Sequence, residues 1–309
     1  MKILLALLCA ALALPAADAP KRPRITRVAH IALFVHDMAK AREFYTGLLG
    51  YQEPYLLNNN DGSLSLTFVK VNENQYLELF PEKEPGTDRL NHISFETDDI
   101  EALRVYLAAK GVPVPDKVGV ARIKNKAFTV KDPDGHTVEF VEYTADGWTR
   151  RETGKFLPAD RASDRMMHLG ILVGSLEASR KFYGDILGFE EIWRGSSNGK
   201  VLSWTNMKVP DGDTYIEFML YDKLPEANKR GTQHHICFEV ADMDKAKAAL
   251  EARPAAKTYG KPFEIRTGTN RKRQMNLYDP DGTRTELMEP KTVDNGVPAP
   301  KSDAPPPHN

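Results

Sequence analysis

The sequence predicts an α+β fold built from four βαβββ modules that pair into two domains. Three observations carry this expectation. A short strand opened by a histidine, with a helix cap seven residues later, occurs four times; the two halves of the chain repeat each other in order; and each helix is followed by short apolar stretches bounded by turn residues.

The duplication is plain when "VAHIALFVHDMAKAREFYTGLLGYQE" is set against "MHLGILVGSLEASRKFYGDILGFEE", which matches Phe44 and Tyr45 to Phe182 and Tyr183. Further on, "NHISFETDD" matches "HHICFEVAD", and "KDPDGHTVEF" matches "YDPDGTRTEL", at nearly the same intervals. Two domains follow, over 24–145 and 164–290. The stretch 146–163 between them is polar, lacks apolar periodicity and reads as a linker.

Each half divides again. His30, His92, His168 and His235 each open a strand, and seven residues on stand Asp37, Asp99, Ser175 and Asp242. Those side chains can accept hydrogen bonds from the free N–H groups of a first helical turn. Helices follow in "MAKAREFYTGLLG", "IEALRVYLAAKG", "LEASRKFYGDILG" and "MDKAKAALEA", most with glycine near the end. Three strands come after each helix, as in "YQEPYLL", "SLSLTFVKV" and "QYLELF" of the first module.

Side chains on a strand alternate between two faces. Ile31 and Leu33, Ile93 and Phe95, Leu169 and Ile171, and Ile236 and Phe238 therefore form a core face under the helices. The histidine face carries the small residues Ala32, Ser94, Gly170 and Cys237, as the floor of an open cleft would.

The ends read differently. Residues 1–19 have a basic Lys2, an apolar run from Ile3 to Leu14 and small residues at cleavage spacing, the pattern of a secretory leader. The expected location is periplasmic or secreted, with no membrane attachment once the leader is removed. Cys237 is then the one cysteine left, so no intramolecular disulfide is expected, and its apolar strand suggests a buried, unreactive thiol. Residues 291–309 are proline-rich with little to bury and are expected to be disordered. A net charge of −1 from 42 basic and 43 acidic residues gives no field for nucleic acid. The expected partner is a small molecule, and the chain a monomer or homodimer.

The last strand of each module holds a carboxylate among apolar neighbours: Glu78, Glu139, Glu217 and Glu286. Burying such a group is costly unless something binds it. With the four histidines they make two sets, His30, Glu78, His92, Glu139 and His168, Glu217, His235, Glu286. A divalent ion suits both donor types: zinc, nickel, cobalt, manganese or iron. The competing readings are incidental strand histidines in a duplicated scaffold, and one working set beside a vestigial one. Of the neighbours His234 and His235, the second has the ligand register.

The strand-opening histidines, "FY...LG" on the first and third helices, the "DPDG" hairpins and the strand-ending glutamates together resemble the vicinal oxygen chelate superfamily, which includes glyoxalase I, methylmalonyl-CoA epimerase, bleomycin-resistance proteins and extradiol dioxygenases. The resemblance covers nearly all of residues 27–290. It implies two glyoxalase-like domains, each an incomplete eight-stranded barrel around one metal held by the eight residues above. Module pairing, first with second or first with fourth, stays open. It also implies a lyase or isomerase like lactoylglutathione lyase, acting through a metal-bound enediolate on a small carbonyl substrate, with Glu139 and Glu286 as catalytic bases. The alternatives are an extradiol-type dioxygenase, which would want a tyrosine where Thr129 and Asn276 stand, and a non-catalytic resistance-type binder.

Two further features are read structurally first. Asp132 to Gly135 and Asp279 to Gly282 are good tight turns. Arg122, Lys124 and Lys126, with Arg271, Lys272 and Arg273, form basic clusters that suit a solvated surface or an anionic part of the substrate.

Overall fold

The computed structural model describes residues 20–307; the leader expected over 1–19 lies outside the described residues. The first half forms β1 (Ile25–Val35), β2 (Gln52–Asn58), β3 (Leu64–Lys70), β4 (Tyr76–Pro81), β5 (Leu90–Thr97), β6 (Gly119–Val120), β7 (Lys126–Lys131) and β8 (Thr137–Glu142). The second half repeats them as β9 (Met166–Val173), β10 (Glu190–Gly195), β11 (Trp204–Lys208), β12 (Tyr215–Leu220), β13 (His235–Glu239), β14 (Ile265–Thr267), β15 (Lys272–Tyr278) and β16 (Arg284–Thr292). Each set makes one eight-stranded, curled sheet, ordered β2-β3-β4-β1-β5-β8-β7-β6 and β10-β11-β12-β9-β13-β16-β15-β14. First module therefore pairs with second, and third with fourth, through the antiparallel β1–β5 and β9–β13 seams.

All four expected caps form. Asp37, Asp99, Ser175 and Asp242 sit in extended conformation and accept from backbone N–H groups of the first helical turn. The second and fourth helices, Ile100–Ala109 and Met243–Glu251, are ordinary α-helices. The first and third widen after one turn: Leu49 N–H reaches the Phe44 carbonyl and Leu187 N–H the Phe182 carbonyl, both five residues back. That winding lies over the repeated Phe-Tyr pairs.

The core-face residues Ile31, Leu33, Ile93, Phe95, Leu169, Ile171, Ile236 and Phe238 are all fully buried. They belong to one continuous apolar cluster that runs through both domains. The helices dock crosswise: Tyr45 of the first module meets the hairpin of the fourth, and Tyr183 of the third meets that of the second. The two domains thus pair modules one way through their sheets and the other way through their helices.

One expectation is refined and one needs correction. The linker is not plain loop: Trp148–Arg151 turns as a short helix and Trp148 is buried on the concave face of the first sheet, against Tyr55, Phe68 and Tyr76. Burial of one large indole outweighs the polarity of its neighbours. The proline-rich tail, expected to be disordered, lies along the second domain instead. Leu202 N–H donates to the Pro305 carbonyl and Ser302 N–H to that of Arg194, so the tail satisfies backbone groups that its own composition gave no reason to expect. No helix among the described residues is long and apolar enough to cross a membrane.

Candidate metal centres

Register places every candidate residue on a concave sheet face, in two adjacent cross-strand rows per domain. In the first domain one row reads Lys70, Tyr76, His30, Ser94, Glu139, Thr129, and the next reads Tyr55, Phe68, Glu78, Ala32, His92. The second domain gives Lys208, Tyr215, His168, Cys237, Glu286, Asn276 and then Trp193, Asn206, Glu217, Gly170, His235, Arg284. Residues paired across a ladder share a face. Two histidines and two glutamates therefore gather at the middle of each sheet.

The distances agree. In the first domain His30 Nε2 lies 3.0 Å from His92 Nε2, 3.2 Å from Glu139 Oε1 and 3.8 Å from Glu78 Oε1, while His92 Nε2 is 3.6 Å from Glu78 Oε2. In the second His168 Nε2 is 3.1 Å from His235 Nε2 and 3.4 Å from Glu286 Oε2, and His235 Nε2 is 3.3 Å from Glu217 Oε2. Seven of the eight are buried, and Glu139 is partly buried, its side chain 17% exposed. Tyr76 stacks on His30 and Tyr215 on His168, which holds those rings in place. The small floor residues leave the room expected of them, and Gly170 is the extreme case. A Cβ there would stand 1.8 Å from Cε1 of His235.

Charge is unevenly shared. Burial drives Glu78 up to about 7, with His30 opposing and Glu139 adding to the rise. Burial also raises Glu139, but the His30 hydrogen bond and the charges of His30 and His92 outweigh it and leave the carboxyl below its ordinary value. Burial brings His92 down to about 4. His235 falls well below the imidazole range through burial, the Arg284 charge and His168. Glu286 ends low despite burial, because His168 donates to it and Arg284 lies close.

The donors suit a divalent ion. At bonds of about 2.0–2.1 Å, neighbouring ligand atoms on one ion stand roughly 3.0–3.4 Å apart, close to the shorter spacings here. Buried imidazole nitrogens pointing at one another and at carboxylates are better explained by a shared cation than by a chance hydrogen bond. His30, Glu78 and His92, and likewise His168, Glu217 and His235, are compact enough for this, and His168, Cys237 and Glu286 form an overlapping group. The thiol of Cys237 is fully buried and burial raises it far above the usual range.

Residues with rival claims point elsewhere. His234 Nε2 lies 3.5 Å from Asp88 Oδ1 and its ring meets His136 edge-on, at the domain seam. Glu142 accepts from Ile100 N–H and Glu289 from Met243 N–H, so both serve helix starts on the opposite face. The basic clusters are largely engaged within the chain: Lys126 pairs with Glu142, Arg271 with Asp294, and Arg273 with Asp244. Sequence reasoning missed Arg284, Asn206 and Trp193. Extending the alignment of the halves to "SLTFVKV" and "SWTNMKV" would have exposed Asn206 in the place of Phe68.

Comparison with known proteins agrees with this architecture. A family model described as the Glyoxalase/Bleomycin resistance protein/Dioxygenase superfamily matches residues 27–140 and 165–287. Lactoylglutathione lyase of Schizosaccharomyces pombe is 25% identical over 307 residues, covering 85% of this chain and 96% of its own. A probable lactoylglutathione lyase of Vibrio parahaemolyticus is 31% identical over 126 residues, 38% of this chain and 90% of its own. Among solved structures, the Mn(II)-bound glyoxalase from Novosphingobium aromaticivorans superposes with a TM-score of 0.67 at 17% identity, over 92% of this chain and 88% of that one. A variant of homoprotocatechuate 2,3-dioxygenase from B. fuscum gives 0.64 at 19% identity, over 89% of this chain and 73% of that one.

Proposed function

The chain belongs to the Glyoxalase/Bleomycin resistance protein/Dioxygenase superfamily, and on that premise we propose a metal-dependent lyase or isomerase that moves a proton on the carbon next to a small substrate's carbonyl. The observation that carries the reading is the convergence of two imidazoles and two carboxylates, twice, on concave sheet faces. His30, Glu78, His92 and Glu139 would hold one ion, and His168, Glu217, His235 and Glu286 another. When bound, a divalent ion supplies Lewis-acid stabilisation of negative charge on substrate oxygens.

The chain's own groups do the rest. Glu139 and Glu286 are the bases: each shares a row with a histidine whose Nε2 lies 3.2 or 3.4 Å away, and each is held ionised by that partner. In the first domain Leu66, Phe68, Phe80 and Ile123 line a half-open cavity of ≈ 200 Å³ beside Glu78, His92 and Glu139. Ser94 Oγ donates to Glu139 Oε1 at 3.1 Å and orients that carboxylate. In the dioxygenase alternative a phenol would stand beside the strand-end glutamates. Thr129 and Asn276 occupy those ladder positions. A leader over 1–19 would put the protein outside the cytosol, away from glutathione and CoA thioesters, which favours a free 2-oxo or 1,2-dioxygenated compound as substrate.

The test is metal analysis of protein purified without added ions, followed by solvent-deuterium incorporation into small 2-oxo compounds. Two ions per chain and exchange that depends on them are expected. No metal under replete conditions sinks the reading, and oxygen uptake without exchange transfers it to the dioxygenase.

A further inference from the structure

The two centres share their donor types but not their surroundings. In the first domain the ladder neighbours of Glu78 and Glu139 are Phe68 and Thr129. In the second, the same places beside Glu217 and Glu286 are held by Asn206 and Asn276. The hairpin alignment also puts Arg284 where the first domain has Thr137. The first cavity is lined mainly by apolar and aromatic side chains, with Arg122 and Asn125 among them; the other, of ≈ 250 Å³, is lined by amides, the guanidiniums of Arg266 and Arg284, and two indoles.

The polar atoms of that second cavity are short of partners. Asn206 is 5% exposed and its Oδ1 accepts nothing; Asn276 Oδ1, Trp193 Nε1 and Arg284 Nε are likewise buried without a hydrogen bond. Native proteins rarely leave such groups unsatisfied; three on the lining of one cavity, with a fourth on Asn206 between Trp193 and Glu217 in the same ladder row, call for an occupant. The orphans divide evenly. Two are acceptors that want hydroxyl donors, and two are donors that want oxygen.

Arg284 adds a sign. Its Nη2 lies 2.7 Å from His235 Nδ1, and that same nitrogen is 2.9 Å from the Gln233 carbonyl. A single ring nitrogen cannot both donate to the carbonyl and accept from the guanidinium. If His235 Nε2 turns to a cation, Nδ1 keeps its proton and bonds Gln233, so Arg284 loses its acceptor and faces positive charge. An anion in the cavity relieves both.

We propose that the second-domain cavity binds a small hydroxylated carboxylate of the sugar-acid type. The carboxylate lies on Arg284, hydroxyls reach Asn206 and Asn276, and the C–H face rests against Trp193 and Trp204. The cavity, of ≈ 250 Å³, lies below the roughly 300–1,000 Å³ of pockets for drug-sized ligands, which limits the occupant to about the size of one monosaccharide. The first cavity has no indole in its lining and Phe68 in the place of Asn206, and its guanidinium, Arg122, already donates to the Asn58 carbonyl and Ser65 Oγ. The inference rests on the metal reading for where the reacting carbon would sit; the recognition itself rests on the four unpartnered atoms.

The probe is D-glucuronate, with D-glucose as the neutral hydroxylated control, followed by quenching of Trp193 and Trp204 in a Trp148→Phe background. Glucuronate should quench saturably and bind about tenfold or more tighter than glucose, the range of a hydrogen-bonded charge. Arg284→Gln should erase that preference, and Asn276→Ala, which leaves the charge in place, should weaken both ligands alike. An unchanged preference in Arg284→Gln, or no quench by glucuronate, overturns the proposal. Running each titration with and without chelator separates the two readings. Arg284-dependent binding in protein that takes up no metal keeps this inference and removes the enzymatic one, whereas metal uptake without such binding does the reverse.

Discussion

Tyr45 donates its hydroxyl across the domain seam to Asp279 at 3.0 Å, and its counterpart Tyr183 does the same to Asp132 at 2.9 Å. Each aspartate also closes its own tight turn, accepting Thr283 N–H and Asp281 N–H in one hairpin, and His136 N–H and Asp134 N–H in the other. Turn closure and domain docking therefore share two carboxyl groups. Tyr45→Phe should lower stability by about 1–3 kcal/mol in urea titration, the cost of unpairing a buried acceptor. Metal content should not change. A loss of metal at unaltered stability would show that the seam supports the centres in some other way.

The same contact predicts a pH effect. Burial pushes Asp279 up to about 6 against the pull of its backbone donors and Tyr45. A carboxyl raised in the folded state binds more protons folded than unfolded. Its stabilising contribution is therefore complete below the unfolded value near 3.8 and is lost as pH rises through about 6. A shift of about two units corresponds to about 3 kcal/mol at most. Asp279→Asn keeps an oxygen for the turn and should remove this term, so the difference in stability between variant and parent should move in the variant's favour from pH 4 to pH 7.5. Parallel pH profiles for the two proteins would refute it.

Much of this architecture was legible because it is local. The caps Asp37, Asp99, Ser175 and Asp242 answer to three-residue spacing, and the burial of Ile31 or Phe238 follows from strand parity. That the four histidines and four glutamates would gather was legible because a duplicated sequence repeats its exceptions. What escaped depends on distance along the chain. The Tyr45 to Asp279 contact spans 234 positions and leaves no periodic trace. Trp148 lies in a polar segment where one buried indole decides its place, and the tail docks through backbone groups that composition does not reveal. Arg284 escaped because a charge beside a ligand histidine shows only once β13 and β16 are paired.

Neighbouring histidines should behave differently. His235 Nε2 stands 3.1 Å from His168 Nε2, while His234 faces Asp88 and His136 at the seam. His235→Ala should cut metal content from two ions per chain to one, as His92→Ala should at the other centre. His234→Ala should retain both ions and lose stability instead. The opposite pattern in metal analysis of the purified variants would mean that the strand register is wrong.

Gly170 and Ala32 occupy matching places in their rows, yet only the glycine lies under a histidine ring. A Cβ on Gly170 would overlap the His235 imidazole at 1.8 to 2.6 Å. That ring is fully buried and cannot swing aside freely. Gly170→Ala should therefore displace His235 and weaken the second centre selectively, with one ion retained per chain. Equal loss of both ions would point to a global defect.

The strand-end glutamates give the test of mechanism. Glu139 and Glu286 each lie within 3.4 Å of a histidine Nε2, whereas Glu142 and Glu289, three residues on, hold helix starts on the far face. A base must reach the proton it takes, and only the first pair is placed to do so. Glu139→Gln and Glu286→Gln together should slow deuterium exchange next to a substrate carbonyl by about a hundredfold or more. Metal content should fall less, since an amide oxygen still coordinates. Glu142→Gln and Glu289→Gln should leave exchange near the parent rate and reduce stability through the lost helix contacts. If the inner pair leaves exchange intact while the outer pair abolishes it, the base lies on the wrong face of this sheet, and the assignment of the concave face as the reacting surface fails with it.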